Sequence, residues 1–347
     1  MPSWHWSGPL WCRTGKSSNC HRSTAYEHSA ELFLIVAVIV AGLFLFAANT
    51  ARKAEAAVPP CGQFMEIDGQ RLHYLDTGGT GPAIVMIHGL GGNLRDYTYA
   101  LVDKLSGEFR VIAVDRPGSG YSVRPDDAPA GIGAQAGTLA KFMRALGLKQ
   151  PLLVGHSLGG AVSLAIALDY PDCAGALALI APLTQAQDDV PEPFQGLVVN
   201  SPIMRKIIAW TLATPMGIRN APKQLKIVFG PDAVPADFPT RGGGMLGLRP
   251  TSFYNTSSDL VAASEDVPGM MKRYGGLTIP LGMLFAKGDL ILDYRRHGEA
   301  MKQKCPALDL VLLDKHGHML PVMAPDATAD LIRRVAVRQL APRVASA

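Results

Sequence analysis

Ser157 has the surroundings that nucleophilic chemistry asks of a serine. An apolar run, Leu152-Leu153-Val154, leads into Gly155-His156-Ser157-Leu158-Gly159-Gly160, and a small-residue helical pattern follows at once from Ala161 to Leu168. A sharp strand-to-helix turn forces such a serine into a strained backbone conformation and lifts its hydroxyl above the sheet edge. The flanking glycines leave room where a side chain would collide with the neighbouring strand or helix. A serine hydroxyl remains a poor nucleophile without a base within hydrogen-bond reach. A glycine-bracketed serine also occurs on ordinary loops, so the rest of the chain has to supply the partners.

The elements that must position those partners are legible in the hydrophobic pattern. Phe64 to Ile67 and Leu72 to Leu75 flank Asp68-Gly69, a two-residue hairpin signal. Ala83 to Ile87 is a continuous apolar run, as expected of a strand buried on both faces, and it ends at His88-Gly89-Leu90-Gly91-Gly92. A helical pattern over Leu94 to Leu105 leads to a strand, Val111 to Val114, and the turn Asp115-Arg116-Pro117-Gly118. A helix over Gly133 to Leu146 precedes the serine turn, whose helix runs to Tyr170, and Ala176 to Ile180 is another strand. Further on, Thr278 to Phe285 and Leu308 to Leu313 read as strands, and Tyr294 to Lys304 and Asp326 to Leu340 as helices. Strands alternating with helices through short glycine-rich turns predict an α/β fold with a mostly parallel sheet covered on both faces.

Between residues 183 and 276 the alternation stops. Prolines at 191, 193, 202, 215, 222, 231, 235 and 239 punctuate this stretch, yet Val198, Ile203, Met204, Ile207, Ile208, Trp210 and Leu212 recur at helical spacing. We expect an inserted helical cap rather than a linker. Its flexible apolar residues, Met204, Met216, Met245, Leu246, Met270 and Met271, are expected mostly to pack the cap, with a few lining an apolar, adaptable pocket for a small molecule.

Leu32 to Ala48 carries neither charge nor proline and sits at the short end of the ~17–25 residues that span a bilayer. We expect residues 1–31 to be a disordered tail, 32–48 a single-pass N-terminal membrane anchor, 49–63 a linker and 64–347 the soluble domain. The rival is a cleaved signal peptide with Ala54-Glu55-Ala56 as its small-x-small site, but Arg52 and Lys53 intervene. Arg13, Lys16 and Arg22 before the segment balance Arg52 and Lys53 after it, so no positive-inside orientation emerges. The 347 residues are 48% apolar and 18% charged with a net charge of +4. That suits a well-buried core, and without a basic, aromatic-interleaved stripe nucleic acid is not an expected partner. Cys12, Cys20, Cys61, Cys173 and Cys305 are odd in number and lack metal-ligand spacing, so they are expected to be unpaired. Metal binding by Cys12 and Cys20 with His5, His21 and His28 is not expected.

Four motifs in order, His88-Gly89, Asp115-Arg116-Pro117-Gly118-x-Gly120-x-Ser122, Gly155-x-Ser157-x-Gly159, and Gly317-His318 with Pro325 seven residues on, resemble the capped branch of the α/β-hydrolase fold superfamily. The resemblance covers residue 64 to the C-terminus and implies an eight-stranded sheet with a cap. It also implies a triad in the order serine, acid, histidine. Within Asp314-Lys315-His316-Gly317-His318 the family's Gly-His-x6-Pro pattern selects His318 as base, leaving His316 to shape the turn. Asp289, in Ala286-Lys287-Gly288-Asp289, matches the family's Gly-x-x-Asp except that Ala286 replaces the glycine. Asp293 is the alternative acid, although an N-cap for the following helix accounts for it. The resemblance assigns the oxyanion donors to the backbone N–H groups of Leu90 and Leu158. It treats His88 as a loop-holding residue and Asp115-Arg116-Pro117-Gly118 as a structural turn.

Epoxide hydrolases and dehalogenases of this resemblance carry aspartate at the elbow, whereas Ser157 implies attack on a carbonyl. The main expectation is cofactor-free and metal-free hydrolysis of an ester or related acyl bond by Ser157, His318 and Asp289. Carbon–carbon bond hydrolysis and a cofactor-free haloperoxidase or perhydrolase activity are alternatives with the same triad. A membrane-tethered binding protein without turnover is a third, set against the complete motif set.

Overall fold

The computed structural model describes residues 18–341, with backbone alone over 18–29, together with Met1, Ser3 and His5. Eight strands form one sheet: β1 (Gln63–Ile67), β2 (Gln70–Asp76), β3 (Ala83–Ile87), β4 (Arg110–Val114), β5 (Leu152–His156), β6 (Ala176–Ile180), β7 (Leu281–Ala286) and β8 (Asp309–Leu313). They lie in the order β1-β2-β4-β3-β5-β6-β7-β8. β1 and β2 pair antiparallel, as do β2 and β4, and every later pair is parallel. The β1–β2 turn uses Asp68 and Gly69, both at positive φ (48° and 76°), the combination that matches the twist of a tight hairpin.

The central strands are buried on both faces, which explains their unbroken apolar sequences. The helices Ile132–Ala145 and Leu158–Asp169 pack on each other, and Pro325–Leu340 covers β6 and β7. The helical pattern over 94–105 is realised as two short helices, Arg95–Thr98 and Val102–Leu105. The strand expected from Thr278 starts at Leu281, just after Pro280. The last-but-one helical pattern contains a π-turn, Arg295–Glu299, before the α-helix Ala300–Lys304.

Between β6 and β7 lie the helices Pro202–Trp210, Ala213–Phe229 and Pro250–Met271, with short 3₁₀ turns; this is the helical cap. Leu246 and Met270 are buried in it, whereas Met204 and Met216 are about half exposed (49% and 53%). Cys61, Cys173 and Cys305 carry free thiols. Cys12 and the side chains of Cys20, His21 and His28 lie outside the described residues.

The described chain divides into two units, residues 1–46 and 47–347. In the first, the helix Ser18–Ala57 begins and exposes apolar side chains from Leu32 to Phe46. Its stretch Ala30–Ala57 is long and apolar enough to cross a membrane. Of the expected tail, residues 2, 4 and 6–17 lie outside the described residues, and from Ser18 the backbone is helical. Residues 49–57, expected as linker, continue the helix, because alanine, arginine, lysine and glutamate are good helix formers and the first stop is Pro59-Pro60. In the second unit Ala54 and Val58 are buried and Glu55 meets Arg249 at 3.4 Å.

At the sheet's functional edge the backbone of the helix Leu158–Asp169 comes very close to β3. A Cβ on Gly159 would stand 2.0 Å from the carbonyl oxygen of Ile87 and 2.5 Å from that of His88. Gly133, on the helix Ile132–Ala145, has no atom within 4 Å of such a Cβ. Gly159→Ala is therefore expected to lower the melting temperature sharply, while Gly133→Ala is neutral or stabilising by up to about 1 kcal/mol. Thermal melts of the two variants measure the contrast.

Candidate active site

β5 delivers Ser157 into the turn before the helix Leu158–Asp169, and the serine takes φ 52° and ψ −120°. A non-glycine residue reaches positive φ only when its surroundings over-determine it. Here the Ser157 N–H donates to the Ile180 carbonyl at 3.0 Å, and its carbonyl accepts from the N–H of Gly160 at 2.9 Å and of Leu183 at 3.0 Å. The elbow is thus tied to β6, to its own helix and to the first residues of the cap. Ser157 is buried, with 9% of its surface exposed.

The loop after β8 carries His318, and the loop after β7 carries Asp289. His318 Nδ1–H donates to Asp289 Oδ2 at 2.8 Å, with both side chains buried. The other carboxylate oxygen, Oδ1, accepts from the N–H groups of Ile291 and Leu292 at 2.8 and 3.0 Å. Burial alone would raise the Asp289 carboxyl, but the His318 charge, its hydrogen bond and these two N–H groups hold it below the usual carboxylate value. The loop also contacts the elbow through the serine's neighbour, since His156 Nε2–H donates to the His318 carbonyl at 3.0 Å. Asp293 instead accepts from the N–H groups of Arg295 and Arg296 at 2.8 and 2.9 Å, as a helix N-cap does.

The loop after β3 presents the second candidate anion donor. A Cβ on Gly89 would lie 3.0 Å from the Ser157 Cβ, so this loop runs directly beside the serine. The Gly89 carbonyl accepts from His88 Nδ1–H at 2.8 Å and from Arg116 at 3.0 Å. In a planar trans peptide the N–H opposes the C=O, so the Leu90 N–H points away from those partners. Among the described residues neither the Leu90 nor the Leu158 N–H makes a hydrogen bond. His88 Nε2 accepts the Arg116 N–H at 3.0 Å, which uses both ring nitrogens in holding the loop.

Arg116 does more than shape a turn. Its guanidinium is fully buried and donates to the carbonyls of His88 and Gly89, to Gln135 Oε1 at 2.6 Å and to Asp259 Oδ2 at 2.7 Å. Asp259 lies on the cap helix Pro250–Met271 and also binds Arg124 at 2.7 Å. Asp115 performs a neighbouring task, accepting from the N–H groups of Leu94 and Tyr121 and from His73 at 2.7–2.8 Å. The motif carrying both residues is visible in sequence, but its link to the cap is not.

Asp232 is a residue that sequence reasoning missed. It follows the cap helix Ala213–Phe229, accepts from His316 Nδ1–H at 3.0 Å with one oxygen and from the Gly317 N–H at 3.0 Å with the other. His316 has φ 82°, so this clamp holds a strained residue two positions before His318. His316 thus has a residue of the cap as its partner. His297 is a further buried link: its Nδ1 accepts from the N–H of Thr184 at 3.1 Å, where the cap begins.

A model of the alpha/beta hydrolase family matches residues 84–331. The chain is 32% identical over 272 residues to lipase 3 of Moraxella sp. strain TA144, covering 76% of this chain and 80% of the relative. It is 37% identical over 121 residues to the dihydrolipoyllysine-residue acetyltransferase component of the acetoin cleaving system of Cupriavidus necator, covering 35% of this chain and only 32% of that relative's length. Among solved structures, the enol-lactonase of Burkholderia xenovorans LB400 superposes with a TM-score of 0.64 at 22% identity, over 79% of this chain and all of that one.

Two outcomes follow from this geometry. Burial, with Arg116 beside it, pushes His88 down to about 4; burial and His318 push His156 to about 3; burial and Arg296 push His297 to about 4. Each binds its proton more readily in the unfolded chain, so stability is present above pH ~6.5 and is lost as pH falls toward 4. Asp96, raised by burial to about 7, acts in the opposite sense, but three histidines outweigh one carboxyl. Melting temperatures should fall steadily between pH 6.5 and 4. Secondly, Asp232→Ala should lower kcat on a soluble ester by about tenfold or more with a small change in KM, because it loosens the His318 loop without removing a reacting group. Asp232→Asn, which keeps an acceptor, should recover most of that loss.

Proposed function

The chain belongs to the alpha/beta hydrolase family, and we propose that it is a serine hydrolase of esters or related acyl bonds in a small, apolar substrate. The observation that carries this reading is the 2.8 Å Nδ1–Oδ2 bond between His318 and Asp289. It commits Nδ1 as the donor and leaves Nε2 as the base. In the proposed cycle Ser157 Oγ attacks the substrate carbonyl as His318 Nε2 takes its proton. Asp289 steadies the imidazolium, and the Leu90 and Leu158 N–H groups receive the oxyanion. His318 then protonates the leaving alcohol, and a water repeats the sequence to release the acid. The names of lipase 3 and of the enol-lactonase both describe ester-bond chemistry and support this choice of bond.

The N-terminal helix is read as an uncleaved single-pass anchor. Cleavage within Ala54-Glu55-Ala56 would cut through a segment built into the second unit, where Ala54 is buried and Glu55 meets Arg249. A spent signal sequence has no need of such contacts.

The wild-type protein should react with a fluorophosphonate probe and turn over p-nitrophenyl esters. Ser157→Ala should abolish both, and Asp289→Asn should reduce kcat by roughly 10³–10⁴-fold with little effect on KM. Undiminished labelling of Ser157→Ala would refute the nucleophile. Retention of the full-length chain in membranes after alkaline carbonate extraction tests the anchor.

A further inference from the structure

The cap helix Pro202–Trp210 is inside out. Arg205 points inward, 6% exposed, and its guanidinium donates to Ser257 Oγ at 3.0 Å, Ser258 Oγ at 2.8 Å and the Val199 carbonyl at 2.6 Å. Ile203, Met204 and Ile207 point outward and are 75%, 49% and 52% exposed. At ~100° per residue these three fall in one sector of the helix, opposite Arg205 and the buried Ala209. Leu212 and Met216 carry the exposed apolar character into the next helix. Scattered exposed aliphatics are ordinary, but a helix that buries its arginine and offers its isoleucines to solvent is not. Exposed Lys206, Arg219 and Lys223 lie on the same two helices.

We propose that this face of the cap sits in the headgroup and upper acyl region of a lipid bilayer, so that the catalytic unit receives its substrate from the lipid phase. The proposal rests on the anchor reading given above. Its occupant follows from two features of the second unit. An apolar helical face bordered by lysine and arginine is the composition of an interfacial helix. The end of the anchor helix is also beside it, since Glu55 and Arg249 line one cavity of about 460 Å³ together with Lys206 and Trp210. The chain thus enters the unit next to the outward apolar face, and Tyr121, which donates to the Val58 carbonyl at 2.5 Å, fixes that approach.

The test uses the full-length chain in phosphatidylcholine vesicles, with Cys12, Cys20 and Cys61 changed to serine. An environment-sensitive fluorophore is attached at Ile207→Cys or, as reference, at exposed Asp330→Cys. Flotation with the vesicles reports the anchor alone. The expected result is flotation of both proteins, with a blue shift and quenching by brominated lipids only for the probe at position 207. Ile203→Gln/Ile207→Gln should still float and should hydrolyse a soluble short-chain ester within about twofold of wild type. On a long-chain ester dissolved in the bilayer it should lose about tenfold or more. A floating protein whose probe at 207 behaves like the one at 330 overturns the proposal while leaving the anchor intact. So does cross-linking of two copies through Ile207→Cys without lipid quenching, which would make a second copy of the chain the occupant. Failure to float overturns the anchor itself, and absence of ester turnover in the wild type overturns the catalytic reading.

Discussion

A fully buried guanidinium has to find partners for its charge and all its N–H groups, because leaving it unpaired in a dry interior would cost several kcal/mol. Arg116 meets that demand with two carbonyls of the loop after β3, an amide of the helix Ile132–Ala145 and a carboxylate of the cap. These partners belong to three different elements, so Arg116 is satisfied only when loop, flanking helix and cap are assembled together. The same bonds hold the Gly89 carbonyl and thereby turn the Leu90 N–H away from it. A packing requirement and the orientation of the loop peptide beside Ser157 are met by one side chain.

The elbow depends on that assembly. Ser157 at positive φ is tolerable because three backbone hydrogen bonds and the close approach of β3 leave it no alternative. His316, also at positive φ, is held by Asp232 in a comparable way. Around these strained positions the histidines at 88, 156 and 297 are buried without their protons' charge and serve as rigid hydrogen-bonding struts. Beside them His318 faces the Asp289 carboxylate, whose own charge is stabilised by two N–H groups. Strain, neutral struts and buried ion pairs together hold these loops in place.

Much of this was legible because it is written in local pattern. The continuous apolar runs identified β3 and β6 at their observed limits and β5 at its start, since a strand buried on both faces cannot alternate. Asp68-Gly69 specified its turn, because those residues reach positive φ at little cost. His318 and Asp289 could be chosen over His316 and Asp293 by motif, and the structure brings the chosen pair within hydrogen-bond distance. Asp232 was not visible, being separated from His316 by 84 positions and belonging to a loop without a motif. The same holds for Asp259, 143 positions from Arg116. In the helix Pro202–Trp210 apolar spacing indicated a packed face, yet it is the arginine that faces inward; periodicity locates a face but does not say which side the protein covers.

The amino-acid sequence by itself therefore determined the strands, the order of sheet and helix, and the serine turn. These are properties of neighbouring residues, set by sterics, turn geometry and the period of hydrophobicity. Only the tertiary structure decided which distant groups meet: Arg116 with Asp259, Asp232 with His316, and Glu55, near the end of the N-terminal helix, with Arg249. Those choices are contacts between elements far apart in the chain, and a charge carries no label for its partner until folding removes the water between them.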